Sequence, residues 1–123
     1  MKGKDILVVD DMISSGDSMI DVATQLKERG AGRIFVNATF GLFTNGMERF
    51  DKAVAEGIIS RVVTTNLCYQ KEELMERGYY INVDMAEYTA AIISSLNKNE
   101  SISSLIDPAE RIKKLFGLDK QNY

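Results

Sequence analysis

The sequence predicts an α/β fold, a three-layer α/β/α arrangement with a mainly parallel sheet. Three observations carry that reading. Apolar runs of strand length alternate with segments of helical period, the pattern of a parallel sheet with crossover helices. The first run, Ile6-Leu7-Val8-Val9, is continuous rather than alternating, as in a strand buried on both faces. It ends in two adjacent carboxylates, Asp10 and Asp11, and a loop of small residues, Ser14-Ser15-Gly16, after which helical spacing begins.

Taken in order, Asp5–Asp11 reads as the first, buried strand. Asp17–Arg29 reads as a helix, with Met19, Ile20, Val22, Ala23 and Leu26 on one face and Gly30 as its stop. Arg33–Phe40 is a second strand, and Asn45-Gly46 marks a turn after it. Met47–Ala55 is a short helix that turns Phe50 and Val54 inward. Arg61–Thr65 is a third strand, Glu72–Arg77 one or two helical turns with a solvated charged face, and Tyr79–Val83 a fourth strand. Asp84, with Glu87 three residues on, has the pattern of a capping box for a helix over Met85–Leu96. Its apolar set is Ala86, Tyr88, Ala91, Ile92 and Leu96. Asp107-Pro108 is a helix start, so Ala109–Phe116 is the last helix and Gly117 its stop. The final residues, Lys120–Tyr123, are expected to fray.

Composition excludes several functions. A chain of 123 residues can bury roughly two thirds of its unfolded surface and so build its own core. Hydrophobic content is 45% and charged content 27%, ordinary for a soluble domain, and no apolar run has the length of a membrane helix. The start of the chain lacks the long apolar region of a signal peptide. Net charge is −3 with scattered Lys and Arg, which argues against a nucleic-acid surface. One cysteine, Cys68, cannot make an internal disulfide, so the cytoplasm is the expected compartment. With no histidine, zinc sites and histidine-activated nucleophiles are not available.

The chemistry concentrates at the end of the first strand. A strand, a small-residue loop and a helix N-terminus together make a phosphate cradle, because exposed amides and the positive end of the helix dipole face the anion. Asp10 and Asp11 add acceptors that a bare phosphate does not need. They suit a ligand with hydroxyls beside its phosphate, such as a sugar phosphate.

At these residues the chain resembles a known family. Val8-Val9-Asp10-Asp11-Met12-Ile13-Ser14-Ser15-Gly16-Asp17-Ser18 is similar to the phosphoribosyl-pyrophosphate (PRPP) fingerprint of the type I phosphoribosyltransferase fold, a Rossmann-like fold. Ala38–Gly46, Val62–Leu67 and Val83–Ile92 are similar to successive segments of ribose-phosphate pyrophosphokinases, the PRPP synthases. The resemblance implies that residues 1–106 are the C-terminal, phosphoribosyltransferase-like domain of such an enzyme and 107–123 a helical extension. It implies that Asp10 and Asp11 bind ribose hydroxyls, and that Ser14, Ser15, Gly16, Asp17 and Ser18 wrap the ribose 5-phosphate. Further implied are ATP as co-substrate, Mg²⁺ bridging the substrate phosphates without a dedicated protein site, and a homo-oligomer for the full-length enzyme. Nucleotide biosynthesis is the implied setting, with neither nucleic acid nor membrane as partner. The catalytic residues are expected in an N-terminal half that this chain lacks, so the piece alone is expected to be inactive.

The loop also departs from the family's Asp-Thr-Ala/Gly-Gly-Thr pattern. Ser14 replaces a carboxylate, Asp17 introduces one, and Phe40 stands where the family often has histidine. Asp17 reads equally as an acid in the first turn of the following helix. Two other functions remain open from the sequence. One is a non-catalytic, regulatory paralogue of the synthase. The other is a response-regulator receiver domain, which also begins with an apolar strand and paired acids but needs a phosphoacceptor aspartate near Val54-Ala55-Glu56-Gly57, where none stands.

Overall fold

The computed structural model describes residues 2–117. The chain forms two compact units, Met1–Met85 and Ala86–Tyr123. The first comprises β1 (Ile6–Ile13), α1 (Asp17–Glu28), β2 (Ile34–Gly41), α2 (Glu48–Ala55), β3 (Arg61–Thr65), α3 (Glu72–Met75) and β4 (Tyr80–Val83). Its strands are all parallel, in the order β1-β2-β3-β4. Val8 pairs with Val36, Val36 with Val62, and Val62 with Tyr80, which sets one register across the sheet.

Consecutive strands that lie side by side, joined by crossovers of the usual right hand, carry their helices on one face. The core follows that geometry. Ile34, Val36, Ala38 and Val62 meet Met19, Ile20 and Ala23 of α1, Phe50 and Ala53 of α2 and Leu74 of α3, all buried. Phe43 lies edge-on to both Phe50 and Tyr80, with ring centroids 5.5 and 6.1 Å apart. Gly30, at φ +85°, ends α1 as expected: its amide donates to the Lys27 carbonyl, and that of Ala31 to Leu26.

The structure corrects the expectation of a buried first strand. Leu7 is 59% exposed and Val9 65%. β1 lies at the sheet edge, and these two side chains alternate onto the face turned away from α1 and α2. A continuous apolar run therefore marks a strand with two apolar faces, only one of which meets a partner here. β1 also extends to Ile13, two residues past the paired acids, because Met12 and Ile13 pair with Phe40 and Gly41.

The second unit contains α4 (Ala86–Asn97), α5 (Ser103–Ile106) and α6 (Ala109–Leu115). No residue of α4 is buried, although it carries the expected apolar set; Leu96 is 57% exposed. The Tyr88 hydroxyl donates to the Leu105 carbonyl at 3.0 Å, linking α4 to α5. Before α6, the Asp107 carboxylate accepts the Ala109 amide at 2.9 Å, the cap that Asp107-Pro108 announces. The expectation for Lys120–Tyr123 lies outside the described residues.

Candidate functional site

β1 delivers Asp10 and Asp11 to the carboxyl edge of the sheet, where both are exposed. The Asp10 carboxylate accepts the Asp11 amide at 2.8 Å, which orients one of its oxygens and ends the run of backbone donors there. The chain then turns through Ser14, Ser15 and Gly16 into α1. Gly16 holds φ +87°, and a Cβ built on it would lie 2.2 Å from the Phe50 ring. Both facts require glycine. The left-handed backbone disfavours a side chain, and the buried ring fills the space one would need. The Ser15 hydroxyl accepts the Asp17 amide at 3.4 Å, while the Gly16 carbonyl accepts the Ile20 amide at 3.0 Å and opens the helix.

A neighbouring loop fixes the turn from the side. The Leu42 amide donates to the Ile13 carbonyl and the Thr44 amide to the Ser14 carbonyl, both at 2.9 Å. Between them Phe43, 3% exposed, takes a left-handed φ of +46° to reach the core. This strut was not legible in the sequence; Asn45-Gly46 marked only a turn.

The result is a cleft of about 140 Å³. Asp10, Ser14, Ser15, Gly16 and Ser18 line it, over a floor of Met12, Ile13 and Met19. Five of the seven residues singled out from the sequence thus share one cavity. Asp11 and Asp17 do not line it. The Asp17 carboxylate accepts a charged hydrogen bond from Arg49 of α2. That pair turns the extra acid of the loop toward a cation, which answers the repulsion a bare carboxylate would bring to a bound anion.

The strand ends on the far side of the sheet are built differently. Thr64 is fully buried, and its hydroxyl shares a hydrogen bond of 2.7 Å with the Tyr80 hydroxyl, which lies 2.8 Å from Gln70 Oε1. Gln70 donates to the carbonyls of Thr65 and Cys68. The Thr65 hydroxyl donates to the Thr39 carbonyl at 2.7 Å. Asn66 donates to Asp84 and accepts the Met85 amide, which ties β3 to the end of β4. Burial raises the Tyr80 phenol above its ordinary value and keeps it neutral. Phe40, which pairs with Met12 of β1, is 39% exposed.

Residues 1–107 match the family model described as the phosphoribosyl synthetase-associated domain. The chain belongs to this family. Among curated relatives, the ribose-phosphate pyrophosphokinase of Vibrio cholerae is 29% identical over 107 residues, spanning 87% of this chain and 33% of that protein. The enzyme of the same name from Pyrococcus abyssi is 46% identical over 68 residues, 54% of this chain and 24% of its own. Among solved structures, the phosphoribosylpyrophosphate synthetase of Mycobacterium smegmatis superposes with a TM-score of 0.70 at 26% identity, over 80% of this chain and 32% of that one. The chain spans about a third of the length of the pyrophosphokinases it matches over most of its own length. It is a PRPP-synthase domain with an α/β, phosphoribosyltransferase-like fold. No described helix is long and apolar enough to cross a membrane.

Proposed function

We propose that this chain is the ribose-phosphate-binding part of a ribose-phosphate diphosphokinase, which makes PRPP from ribose 5-phosphate and ATP for nucleotide biosynthesis. One observation carries the reading: Asp10, Ser14, Ser15, Gly16 and Ser18 converge on a single cleft at the N-terminal end of α1. Three hydroxyls and the amides of the helix start offer donors to a phosphate, and the helix dipole adds to their pull. Asp10 offers acceptors to ribose hydroxyls, each charge-assisted bond contributing about 1.5–3 kcal/mol. Asp11 reaches the sugar from outside the cleft, and Asp17, held by Arg49, acts as a support of the loop.

Among the described residues, no group of three His, Cys, Asp or Glu side chains could enclose a metal ion. On this reading Mg²⁺ is carried on substrate phosphates and water, with at most a carboxylate from Asp10 or Asp11. When bound, Mg²⁺ neutralises phosphate charge during diphosphate transfer. ATP and the catalytic groups belong, on this reading, to polypeptide outside this chain. The chain alone therefore binds ribose 5-phosphate but forms no PRPP, and the complete enzyme is a homo-oligomer. The sheet order supports this over a receiver domain, in which the first strand lies between the second and third. The departures at Ser14 and Asp17 favour one further reading, a regulatory paralogue that binds the sugar phosphate without turning it over.

Calorimetric titration with ribose 5-phosphate tests the proposal. Binding should be measurable and should weaken at least about tenfold in Asp10→Ala, the loss of one or two charge-assisted bonds. Because Asp10 is exposed, the variant should fold normally. Equal heats from both proteins would refute the reading. PRPP formation by this chain mixed with a complementing synthase portion would exclude the regulatory alternative.

A further inference from the structure

The Asn45-Gly46 turn does not line the cleft, yet it carries chemistry of its own. Asn45 is the only asparagine in the sequence that precedes a glycine. The backbone nitrogen after an asparagine can close a small ring on the side-chain amide carbon, and the main hindrance is the side chain of that following residue. Gly46 has none. Nor does the turn admit one: Gly46 holds φ +78°, and a Cβ built there would collide with the Glu48 carboxylate. Asn45 itself is exposed, so water reaches it. One contact opposes reaction. The Gly46 amide donates to the Phe43 carbonyl at 3.0 Å, and this bond must open before the nitrogen attacks.

The loop has no slack around this turn. Phe43 and Met47, 3% and 4% exposed, bury both ends of the span Thr44-Asn45-Gly46. Phe43 is held edge-on to Phe50 and Tyr80, and the Met47 carbonyl accepts the Asp51 amide at 2.8 Å as α2 begins. Within the span, the Thr44 amide holds the Ser14 carbonyl at 2.9 Å. A change of backbone length at position 45 therefore falls on Thr44 and, through it, on the Ser14 turn.

We propose that Asn45 converts spontaneously to isoaspartate, and that the conversion releases the strut from the Ser14 turn. The Gly46 nitrogen attacks Asn45 Cγ and forms a C–N bond. The Cγ–Nδ2 bond breaks, and ammonia leaves with the proton that the Gly46 nitrogen gives up. Water then opens the resulting succinimide. Opening at Cγ gives aspartate on an unaltered main chain. Opening at the main-chain carbonyl gives isoaspartate: the chain runs on through Cβ and Cγ, one carbon longer, and a carboxylate remains on Cα. The conversion also adds a negative charge to the loop that braces the proposed phosphate cradle. That last consequence rests on the proposed function; the conversion and the release of the strut are tested without ligand.

The purified chain is aged at mildly alkaline pH, where the attacking nitrogen gives up its proton more readily, and fractions that gain negative charge are separated by anion exchange. Peptide mapping should place the conversion at Asn45, and an isoaspartyl methyltransferase should label that peptide. In the aged fraction, amide exchange at Leu42 and Thr44 should quicken by about fivefold, the loss of roughly one net hydrogen bond, and ribose 5-phosphate should bind more weakly by about the same factor. Asn45→Gln closes its ring far more slowly and should age with neither change. Asn45→Asp, which carries the charge on an unaltered main chain, should keep the slow exchange of fresh protein. The proposal is overturned if Asn45 stays intact, if the product is aspartate alone, or if isoaspartate forms while exchange at Leu42 and Thr44 is unchanged. Equal quickening in aged Asn45→Gln would also overturn it, by placing the lesion elsewhere. Should ribose 5-phosphate fail to bind the fresh chain while conversion and exchange behave as described, the cleft reading fails and the modification site stands.

Discussion

The two polar ends of this sheet contrast in how they use their side chains. At the ends of β3 and β4, Thr64, Tyr80, Gln70, Thr65, Asn66 and Asp84 engage one another or nearby backbone. At the end of β1, Asp10, Ser14 and Ser18 stay exposed around a cleft, while the backbone beneath them is held by Phe50, Leu42 and Thr44. The first end spends its polar groups on structure. The second fixes its backbone and leaves its side chains exposed around the cleft. A rigid cradle with free functional groups is what binding requires, since little ordering remains for the ligand to impose.

Substitutions should separate the two ends by their readouts. The largest effect is expected for Gly16→Ala. Overpacking against Phe50 and a strained left-handed backbone together should cost about 2–4 kcal/mol and abolish ribose 5-phosphate binding. Chemical denaturation and calorimetry measure the two losses. Tyr80→Phe should come next. It removes a bond from fully buried Thr64 and one from Gln70, at about 1–3 kcal/mol, with ligand affinity unchanged. If affinity fell with stability, the two ends would be one coupled unit and the contrast would fail.

A third substitution probes a brace beneath neither end. The Asp51 carboxylate accepts hydrogen bonds from Arg77 Nε at 2.8 Å and Nη2 at 3.0 Å, and from the Tyr79 hydroxyl. The Arg77 guanidinium, followed in effect by the Tyr79 hydroxyl, holds Asp51 below its ordinary value of 3.8, against the opposing pull of burial. Asp51→Asn should cost about 1–2 kcal/mol, discounted for partial exposure. A depressed carboxylate contributes stability above its unfolded value and loses it as pH falls through the folded one. The gap in Tm between wild type and variant should therefore be constant above pH 3.8 and close below it. The smallest effect belongs to Arg49→Ala. An exposed ion pair contributes under about 1 kcal/mol, so stability should barely move. Freed from its partner, Asp17 should nonetheless weaken ribose 5-phosphate binding by roughly two- to threefold, more so at low salt.

Much of this was legible in the chain. The strands, the start of α1 at Asp17 and the stop at Gly30 follow from apolar period and glycine chemistry. The cleft follows in outline from the paired acids and the serine–glycine loop. Three features were not legible, each because it depends on residues distant in sequence. Arg49 lies 32 residues from the acid it neutralises, Phe50 acts on Gly16 only through the core, and Phe43 takes its left-handed backbone to fit two other rings. Nor could the apolar run of β1 say how many of its faces would meet a partner. The helix after Asp84 begins at Ala86, and the Asp84 carboxylate also accepts a hydrogen bond from Asn66, 18 residues away in sequence.

The Phe50 ring beneath Gly16 has a consequence for how this protein can change. The height of the cradle above the sheet is set by the thickness of an aromatic residue two elements away. Trimming that ring to leucine would let the loop subside, opening the mouth of the cleft without touching a single residue that lines it. Affinity for the sugar phosphate would then report on the volume of the core, and a second change at Gly16, ruinous by itself, could become tolerable in the space released.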